Sequence, residues 1–245
     1  MKPRNISIVI FFLFFHSLYS QEVRIDHVIA VYNDLENVVK NYEDLGFTLK
    51  QGYKHKNGLI NAHIKFKNGT SVELISVSEN PIDKISKTYA SLLKNGEGGV
   101  FIALSGLSVD ELKEKLKDTD IKYSIERNQS WDYVTFNDSN LEHLFFISYK
   151  IQINDSQKML IHKNDLEKIG NVWIEGNDKV KYLFKILGME SVGFISDNEI
   201  GKGEKFKTSS GDIVIIPFQK PNLRPRVKAI SFSKLESKEN ILIRF

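Results

Sequence analysis

Two short segments constrain the fold of this chain more than any other feature: Ile25-Asp26-His27-Val28 and Val72-Glu73-Leu74-Ile75. They stand at the two ends of a run whose apolar spacing predicts a strand, a helix and three more strands. Each segment carries one side chain, His27 or Glu73, of a type that ligates divalent metals. The run therefore predicts a βαβββ module with two candidate metal ligands.

The details of this first module follow from its residue pattern. A helix capped by Asp34 ends at Gly46, because glycine is favoured just after a helix C-terminus. Further strands are expected at 47–52, 60–66 and 70–77, with an Asn-Gly turn before the last one. Alternation predicts two faces for the first strand, with Ile25, His27, Ile29 and Val31 on one face and Asp26, Val28 and Ala30 on the other.

The same order of elements recurs along the chain. A second copy is predicted from a strand at 100–104, a helix capped by Ser108, and strands at 122–126, 131–136 and 141–149. A third, looser copy consists of a strand at 171–175, a helix at 180–187 and a last strand at 212–218. We therefore expect an α+β protein of tandem βαβββ modules. The first two, 24–78 and 99–150, form one domain within 21–165, and 166–245 is a degenerate third module.

Residues 1–20 have the pattern of a secretory signal peptide, because Lys2 and Arg4 precede an apolar stretch that ends in the small residue Ser20. The apolar stretch is shorter than the roughly 20 residues that span a bilayer, which argues against a stable membrane anchor. Leu18 is not the ideal residue before a cleavage site, so an uncleaved anchor remains an alternative. We expect an exported protein, periplasmic or secreted.

Composition excludes several classes of protein. The chain has no cysteine, so an exported form has no disulfides and depends on its core for stability. Removal of Lys2 and Arg4 lowers the formal charge from +3 to +1, with acidic and basic residues interspersed. This balance offers no electrostatic footprint for nucleic acid.

Several short motifs together match a known pattern. They are Asp26-His27-Val28, Leu45-Gly46-Phe47, His55, Gly58, Asn61, Phe66, Glu73-Leu74-Ile75, Asp110-Glu111-Leu112, and the strands at 99–104 and 144–147. In these residues the stretch 25–150 resembles the glyoxalase-like branch of the vicinal oxygen chelate superfamily. The resemblance implies two modules that pair their sheets around a small-molecule cavity, and a divalent metal held by the first and last strands of each module. It predicts a fold rather than a reaction, because the superfamily includes isomerases, dioxygenases, resistance proteins and non-catalytic binders.

The resemblance implies that His27 and Glu73 hold a divalent metal, for which Fe, Mn, Ni, Co and Zn are candidates. Glu73 is also the candidate for moving a proton. In the second module the equivalent positions are Phe101, or Val100 with a one-residue slip, and Phe145. His143 lies two residues before Phe145 on the same predicted strand face and is the candidate third ligand. A direct hydrogen bond between His27 and Glu73, without any ion, is the alternative.

Other side chains are candidates for contact with a small molecule. The candidate substrate-binding residues are His55, Asn61, Trp131, Tyr133 and Phe145. The resemblance suggests that the loop carrying His55 closes over the site, and the aromatic residues suit an apolar or ring-shaped ligand, although ordinary core packing is the alternative. His63 is interpreted as a sheet-surface residue, and His162, in a connector, is expected to be exposed.

Three hypotheses for function remain. The first is a metal-dependent enzyme of the lyase, isomerase or dioxygenase type, and the second is a non-catalytic binder of a small molecule with a degenerate metal site. A partner-binding role ranks third, because no repeating anchor pattern for a partner helix follows Asp178. The sequence leaves open whether two chains pair as a homodimer.

Overall fold

A computed structural model describes residues 22–78, 80–151, 154–218, 226–234 and 240–245. The predicted signal peptide, 1–20, lies outside the described residues. The strands are β1 (Arg24–Val31), β2 (Lys50–Lys54), β3 (Leu59–Lys65), β4 (Ser71–Val77), β5 (Gly98–Ser105), β6 (Tyr123–Arg127), β7 (Trp131–Phe136), β8 (Leu144–Tyr149), β9 (Lys168–Glu175), β10 (Ser191–Asp197), β11 (Gly201–Lys207), β12 (Asp212–Ile216), β13 (Val227–Ser233) and β14 (Asn240–Arg244). The helices are α1 (Leu35–Asp44), α2 (Lys84–Leu93), α3 (Val109–Leu116) and α4 (Asp178–Ile186), and a 3-10 turn covers Gln157–Leu160.

The helix boundaries follow the predicted capping residues. Asp34 accepts a hydrogen bond from the backbone of Asn37, which satisfies one free donor in the first turn of α1. Gly46 follows α1 with a positive φ of 88°, a conformation that suits glycine. Ser108 and Glu111 form a reciprocal capping box at the start of α3. Among the described residues no helix is both long and apolar enough to cross a membrane.

The first two modules share one eight-stranded sheet in the order β2-β3-β4-β1-β5-β8-β7-β6. Each module contributes four strands, and the modules meet where β1 and β5 pair in antiparallel fashion. Within each module the first and last strands, β1 with β4 and β5 with β8, are parallel neighbours. This is the α+β arrangement of tandem βαβββ modules that the sequence predicts.

The C-terminal part builds a second sheet of six strands, in the order β10-β11-β12-β9-β13-β14. Its first four strands repeat the order of the first module, and α4 follows β9 as α1 follows β1. The sequence pattern did not predict β10 and β11. β13 pairs with β9 in antiparallel fashion, as β5 pairs with β1, so the C-terminal strands take the place that the second module has in the first sheet.

The two sheets share a hydrophobic core that also includes residues of α1, α3 and α4. Phe232 of β13 lies at the centre of the contact, with its ring centroid 5.1 Å from that of Phe47 and 5.5 Å from that of Phe66. A hydrogen bond from a side chain to the backbone adds to the contact, because the hydroxyl of Ser210 donates to the carbonyl oxygen of Ile25 at 2.9 Å. The opposite face of the eight-stranded sheet is therefore free to carry a site, although α2 covers one end of it through Tyr89 and Leu92.

A β-bulge in β1 changes the predicted strand faces. The pairing with β5 shifts register between Ile25 and His27. Ile25 therefore joins Val28 and Ala30 in the shared core, and the expectation that it lies on the face of His27 is wrong. Asp26, predicted on the face of Val28 and Ala30, instead contacts His27. A bulge adds one residue to a strand, so a strict period of two cannot anticipate it.

Candidate functional site

Five polar side chains form a network on the face of the eight-stranded sheet that is turned away from the shared core. They are Asp26 and His27 of β1, Asn61 and His63 of β3, and Glu73 of β4, and we call them the polar network. His63 stands directly across from Glu73 in the β3–β4 pair. In β1 the residue paired with Glu73 is Ile29, so His27, two residues earlier, is diagonal to Glu73. The Nε2 atom of His27 lies 3.8 Å from Oε2 of Glu73. The two predicted ligands therefore share one face.

Asp26 fixes the orientation of the His27 ring. Its Oδ1 lies 2.7 Å from Nδ1 of His27 and accepts a hydrogen bond from the Tyr149 hydroxyl at 3.0 Å. Burial acts to raise the pKa of Asp26, but the hydrogen bond and charge of His27 and the hydrogen bonds of Tyr149 and Ser105 outweigh it and hold the pKa below its ordinary value. An ionised carboxylate can only accept, so Nδ1 of His27 donates to Asp26, and Nε2 faces Glu73.

Glu73 carries a carboxylate that is mostly buried, with 17% of its side chain exposed. The amide of Asn61 donates to its Oε1 at 2.7 Å. In the described part of the chain no lysine or arginine forms an ion pair with it, and the Nε2 atoms of His27 and His63 are each 3.8 Å away, beyond hydrogen-bonding distance. Because a buried charge is costly unless it is compensated, this carboxylate suits a cation or a ligand group that supplies positive charge.

His63 belongs to the same network, contrary to its interpretation as a sheet-surface residue. Its Nε2 lies 3.2 Å from the amide nitrogen of Asn61, and its Nδ1 is buried without a hydrogen-bond partner. Burial outweighs the opposing charge of Glu73 and lowers the pKa of His63 to about 4, so the ring is neutral at neutral pH. Because the Asn61 amide nitrogen is a donor, Nε2 of the neutral ring accepts from it and the unpartnered Nδ1 carries the proton.

The second module offers apolar side chains where the first offers ligands. In the parallel pair of β5 and β8, Ala103 stands beside Phe145, as Ile29 stands beside Glu73 in the first module. Phe145 therefore occupies the position of Glu73, and Phe101 that of His27. The rings of Phe101 and Phe145 meet edge to face at 6.4 Å. The second module contributes shape and apolar surface at these positions, but no metal ligand.

The third module also lacks a histidine and a glutamate at the positions equivalent to His27 and Glu73. In the pair of β9 and β12, Asn171 stands beside Asp212 and Trp173 stands beside Val214. The same register in the first module places His27 beside Ser71 and Ile29 beside Glu73. Asn171 therefore takes the position of His27, and Val214 takes that of Glu73. The corresponding face of the six-stranded sheet is an apolar cluster that includes Trp173 and Val214. Among the described residues, only the first module carries a histidine and a glutamate at these two equivalent positions.

Aromatic side chains form a wall beside the polar network. The ring of Phe145 is 5.7 Å from that of His27 and 5.8 Å from that of Tyr133, and Trp131 follows 6.2 Å from Tyr133. Burial, with a further contribution from the charge of Glu73, raises the pKa of Tyr133 to about 12, so its hydroxyl keeps its proton at neutral pH. The three predicted aromatic residues thus stand together next to the candidate ligands, outside the shared core.

Three further histidines, His55, His143 and His162, belong to the part of the chain that the structure describes. His143 is in the turn before β8, 1% exposed, and no described hydrogen bond or ion pair joins it to His27 or Glu73. Both of its ring nitrogens are buried without a hydrogen-bond partner, and its role as a third ligand stays a prediction. His55 is exposed in the turn between β2 and β3. His162 was expected to be exposed, and that expectation is wrong. Its ring packs against Phe47 and Phe66, and the residue is only 3% exposed.

A cavity of about 590 Å³ lies at the Asp26 end of the network. Residues of both modules line it, including Asp26, Ser71 and Lys65 from the first and Ser105 and Tyr149 from the second. Its lining includes neither His27 nor Glu73. The space is large enough for a small molecule and opens where the two modules meet.

The donor atoms fit a divalent ion as a pair. The distance of 3.8 Å between Nε2 of His27 and Oε2 of Glu73 is less than twice a metal–ligand bond of roughly 2.1 Å, so a point at bonding distance from both exists. An imidazole nitrogen and a carboxylate suit Fe, Mn, Ni, Co and Zn. Among the described residues no three histidine, aspartate or glutamate side chains are already arranged to hold an ion. Two ligands are fewer than the usual three of a catalytic site.

Comparison with known sequences decides the family. The sequence model of a family described as "Glyoxalase-like domain" matches residues 25–183, which is more than half of the chain. The chain belongs to the glyoxalase-like domain family. Its fold matches that of the vicinal oxygen chelate superfamily. No curated protein matches the sequence.

Solved structures share the fold of this glyoxalase-like protein at low sequence identity. A hypothetical protein from Staphylococcus aureus is 14% identical with a TM-score of 0.59, covering 89% of this chain and 93% of its own. An extradiol ring-cleaving dioxygenase from B. fuscum is 13% identical with a TM-score of 0.57, covering 88% of this chain and 58% of its own. A substrate complex of homoprotocatechuate 2,3-dioxygenase from Brevibacterium fuscum with 3,4-dihydroxyphenylacetate is 12% identical with a TM-score of 0.54. The match covers 82% of this chain and 62% of the dioxygenase chain. The chain therefore spans about three fifths of the length of these dioxygenases.

Sequence reasoning missed two members of the polar network of this glyoxalase-like protein. Asp26 was missed because the bulge in β1 moves it to the site face. His63 was missed because Asn61, His63 and Lys65 alternate along β3, and alternating polar residues ordinarily indicate a solvent-facing sheet. A useful signal was present in the register, since a β3–β4 hairpin with the turn at Asn68-Gly69 places His63 across from Glu73.

Proposed function

We propose that this glyoxalase-like protein binds a small molecule beside the polar network and acts on it with the help of a divalent metal held by His27 and Glu73. The reaction is of the lyase, isomerase or dioxygenase type. One observation carries the proposal. Nε2 of His27, whose ring is oriented by the contact of Nδ1 with Asp26, lies 3.8 Å from a carboxylate oxygen of Glu73. Two electron-rich groups that face each other in a mostly buried site are stabilised by a cation between them.

The roles of the side chains follow from their positions. A bound ion would act as a Lewis acid on the oxygen atoms of the substrate. Asp26 holds the ring of His27, and Glu73 has a second oxygen with which to accept or return a proton. The aromatic wall of Trp131, Tyr133 and Phe145 excludes water and supports a ring or another flat apolar group.

The cavity at the Asp26 end supplies space for the polar end of the substrate. Its charged lining includes Arg24 and Lys65 as well as Asp26 and Asp155. A small ring-bearing acid is therefore a suitable first probe, and the substrate complex of the dioxygenase with 3,4-dihydroxyphenylacetate supports the same choice.

The proposal predicts metal uptake that depends on His27. After treatment with a chelator, wild-type protein should take up close to one Zn²⁺ or Co²⁺ per chain, and saturating metal should raise its melting temperature because the ion binds only the folded state. His27→Ala should lose both effects while keeping the melting temperature of the metal-free wild type within a few degrees. Elemental analysis and thermal-shift assays measure the two quantities. A wild-type protein that stays metal-free at saturating metal contradicts the proposal.

A non-catalytic binder is the second candidate, and one observation favours it. Phe101 and Phe145 occupy both equivalent ligand positions of the second module, so those two positions offer no ligand to an ion. In this case ring-bearing acids should raise the melting temperature equally with and without metal, and His27→Ala should retain that shift. Trp131→Ala should lose it under either hypothesis, because the aromatic wall serves both.

We also propose that the protein is exported, on the pattern of residues 1–20 alone. Protein recovered from the periplasm or medium of a bacterial host should begin at Gln21, as determined by intact mass and N-terminal peptide analysis. A full-length chain that remains in the membrane fraction would instead support the uncleaved anchor.

A further inference from the structure

We propose that the cavity at the Asp26 end of the polar network is an acid subsite, in which the guanidinium group of Arg24 binds the carboxylate of the small-molecule ligand. The inference rests on the proposed function, because it concerns the polar end of the same ligand. It narrows the ligand class to small molecules that carry a carboxylate close to a ring or another flat apolar group.

The cavity continues the sheet face that carries the polar network. Lys65 lines the cavity and follows His63 of β3 by two residues. Ser71 lines it from β4, two residues before Glu73. Alternate residues of a strand lie on the same face of a sheet. A ligand in the cavity can therefore extend along β3 and β4 towards the polar network.

The aromatic wall borders the same cavity. In the antiparallel pair of β7 and β8, Trp131 stands directly across from Tyr149. Tyr133 stands across from Ile147 in the same pair. Tyr149 and Ile147 both line the cavity. Because side chains that stand opposite each other in such a pair are neighbours, an acidic substituent of a ring held by the wall lies within reach of the cavity.

The charges around the cavity favour an anion. Two carboxylates, Asp26 and Asp155, belong to its lining. Asp155 lies 2.5 Å from the ammonium group of Lys50 and 3.7 Å from that of Lys65, so two lysines share one carboxylate. With Arg24, three cationic side chains meet two carboxylates, and these five described residues have a formal excess of one positive charge.

Arg24 is the cation for which the described residues supply no carboxylate. In this part of the chain its guanidinium has one hydrogen bond, from Nη2 to the carbonyl oxygen of Asn68 at 2.7 Å. Its Nε is buried without a partner. Arg127 and Arg244, by contrast, have carboxylate oxygens at 3.4 Å and 3.3 Å. Because a partly buried charge is costly unless it is compensated, the charge of Arg24 suits an anion supplied by a ligand.

The backbone holds the guanidinium of Arg24 in place. A Cβ atom at Gly69 would lie 2.7 Å from Nη2, and a Cβ atom at Gly106 would lie 3.5 Å from Cγ of Arg24. Both glycines line the cavity, so the arginine packs against its wall. A planar guanidinium has parallel N–H donors that match the two oxygens of a carboxylate. A donor group that is already fixed loses little freedom when it binds a ligand.

The first test compares an acid with its neutral ester on metal-free wild-type protein. The acid 3-phenylpropionate and its methyl ester share the ring and differ in charge. We expect the acid to bind at least about tenfold more tightly, because hydrogen bonds to a charged group are stronger than neutral ones. Isothermal titration measures both affinities. Equal affinities, or no binding of the acid at millimolar concentration, would overturn the proposal.

Variants of Arg24 locate the preference for the acid. Arg24→Met should lose about tenfold or more in affinity for the acid and keep the wild-type affinity for the ester. Arg24→Lys retains the charge but loses the planar pair of donors, so its affinity for the acid should lie between those of wild type and Arg24→Met. Preference for the acid that survives in Arg24→Met contradicts the proposal. Should that variant fail to fold, wild-type affinity in Arg24→Lys contradicts it instead.

Arg127→Met is the matched control. Arg127 contacts Asp132, has 60% of its side chain exposed and does not line the cavity. Its replacement should leave the affinity for the acid unchanged. An equal loss in Arg127→Met and Arg24→Met would show a general effect of net charge and would overturn the acid subsite.

The outcomes separate this inference from the proposed function. Metal uptake by wild type without preference for the acid overturns the acid subsite and leaves the proposed function intact. Preference for the acid that depends on Arg24, without metal uptake by wild type, supports the acid subsite and overturns the metal-assisted reaction.

Discussion

Replacement of Phe232 by alanine is expected to lower the free energy of unfolding by about 3–5 kcal/mol, the usual cost of removing a fully buried phenylalanine ring. The ring is 0% exposed and packs against Phe47 and Phe66, which belong to the first module, while Phe232 itself belongs to the C-terminal sheet. The substitution leaves a cavity between the two sheets and therefore weakens both. Denaturation by urea, followed by circular dichroism, measures the change.

Phe194→Ala is the matched control for this prediction. Phe194 is 63% exposed on the edge strand β10, where its ring lies beneath the ammonium group of Lys202. Its loss should change the free energy of unfolding by less than about 1 kcal/mol. If both substitutions cost the same, or if Phe232→Ala costs less than about 1 kcal/mol, the C-terminal sheet does not stabilise the site-bearing sheet as the contacts indicate.

Asp26→Asn is expected to weaken Zn²⁺ binding by roughly 10–100-fold, the range seen for carboxylates that orient a histidine ligand. The amide keeps the shape of the aspartate but loses its charge, and its NH₂ group can face Nδ1 of His27 as a donor. The proton of His27 is then no longer fixed on Nδ1, and the lone pair on Nε2 is no longer reserved for the ion. Isothermal titration of metal-free protein with Zn²⁺ measures the affinity.

Tyr149→Phe provides the comparison for Asp26→Asn. It removes the hydroxyl that donates to Asp26 at 3.0 Å but leaves the 2.7 Å contact of Asp26 with His27. Its effect on the affinity should be smaller, within about tenfold. Equal effects of the two substitutions would show that Asp26 acts through general packing rather than through the ring of His27.

The modular fold could be predicted from the sequence because the strands and helix ends of each module depend on residues that are close together in the chain. Alternation marks the buried strands, and the residues Asp34, Gly46 and Ser108 mark helix ends through interactions within a few residues. The sequence pattern missed β10 because most of its side chains are exposed and therefore show no alternation of buried and exposed residues. β13 joins β9 from a distant part of the chain, which no local pattern reports.

The candidate site was predicted in part. His27, Glu73 and Asn61 lie together as their strand positions indicate. The site nevertheless depends on a bulge that moves Asp26 and on a pairing across strands that brings in His63. Likewise, His162 is buried by rings from β3 and from the residues after α1, far away in sequence. Local patterns identify the elements, whereas register and tertiary packing decide which side chains meet.

The most direct test of the account is anomalous diffraction from crystals of the protein saturated with Co²⁺ or Zn²⁺. One strong peak is expected on the face of the eight-stranded sheet that carries the polar network, about 2.1 Å from Nε2 of His27 and from a carboxylate oxygen of Glu73. A peak elsewhere on the protein, or no peak on this face at saturating metal, would contradict it.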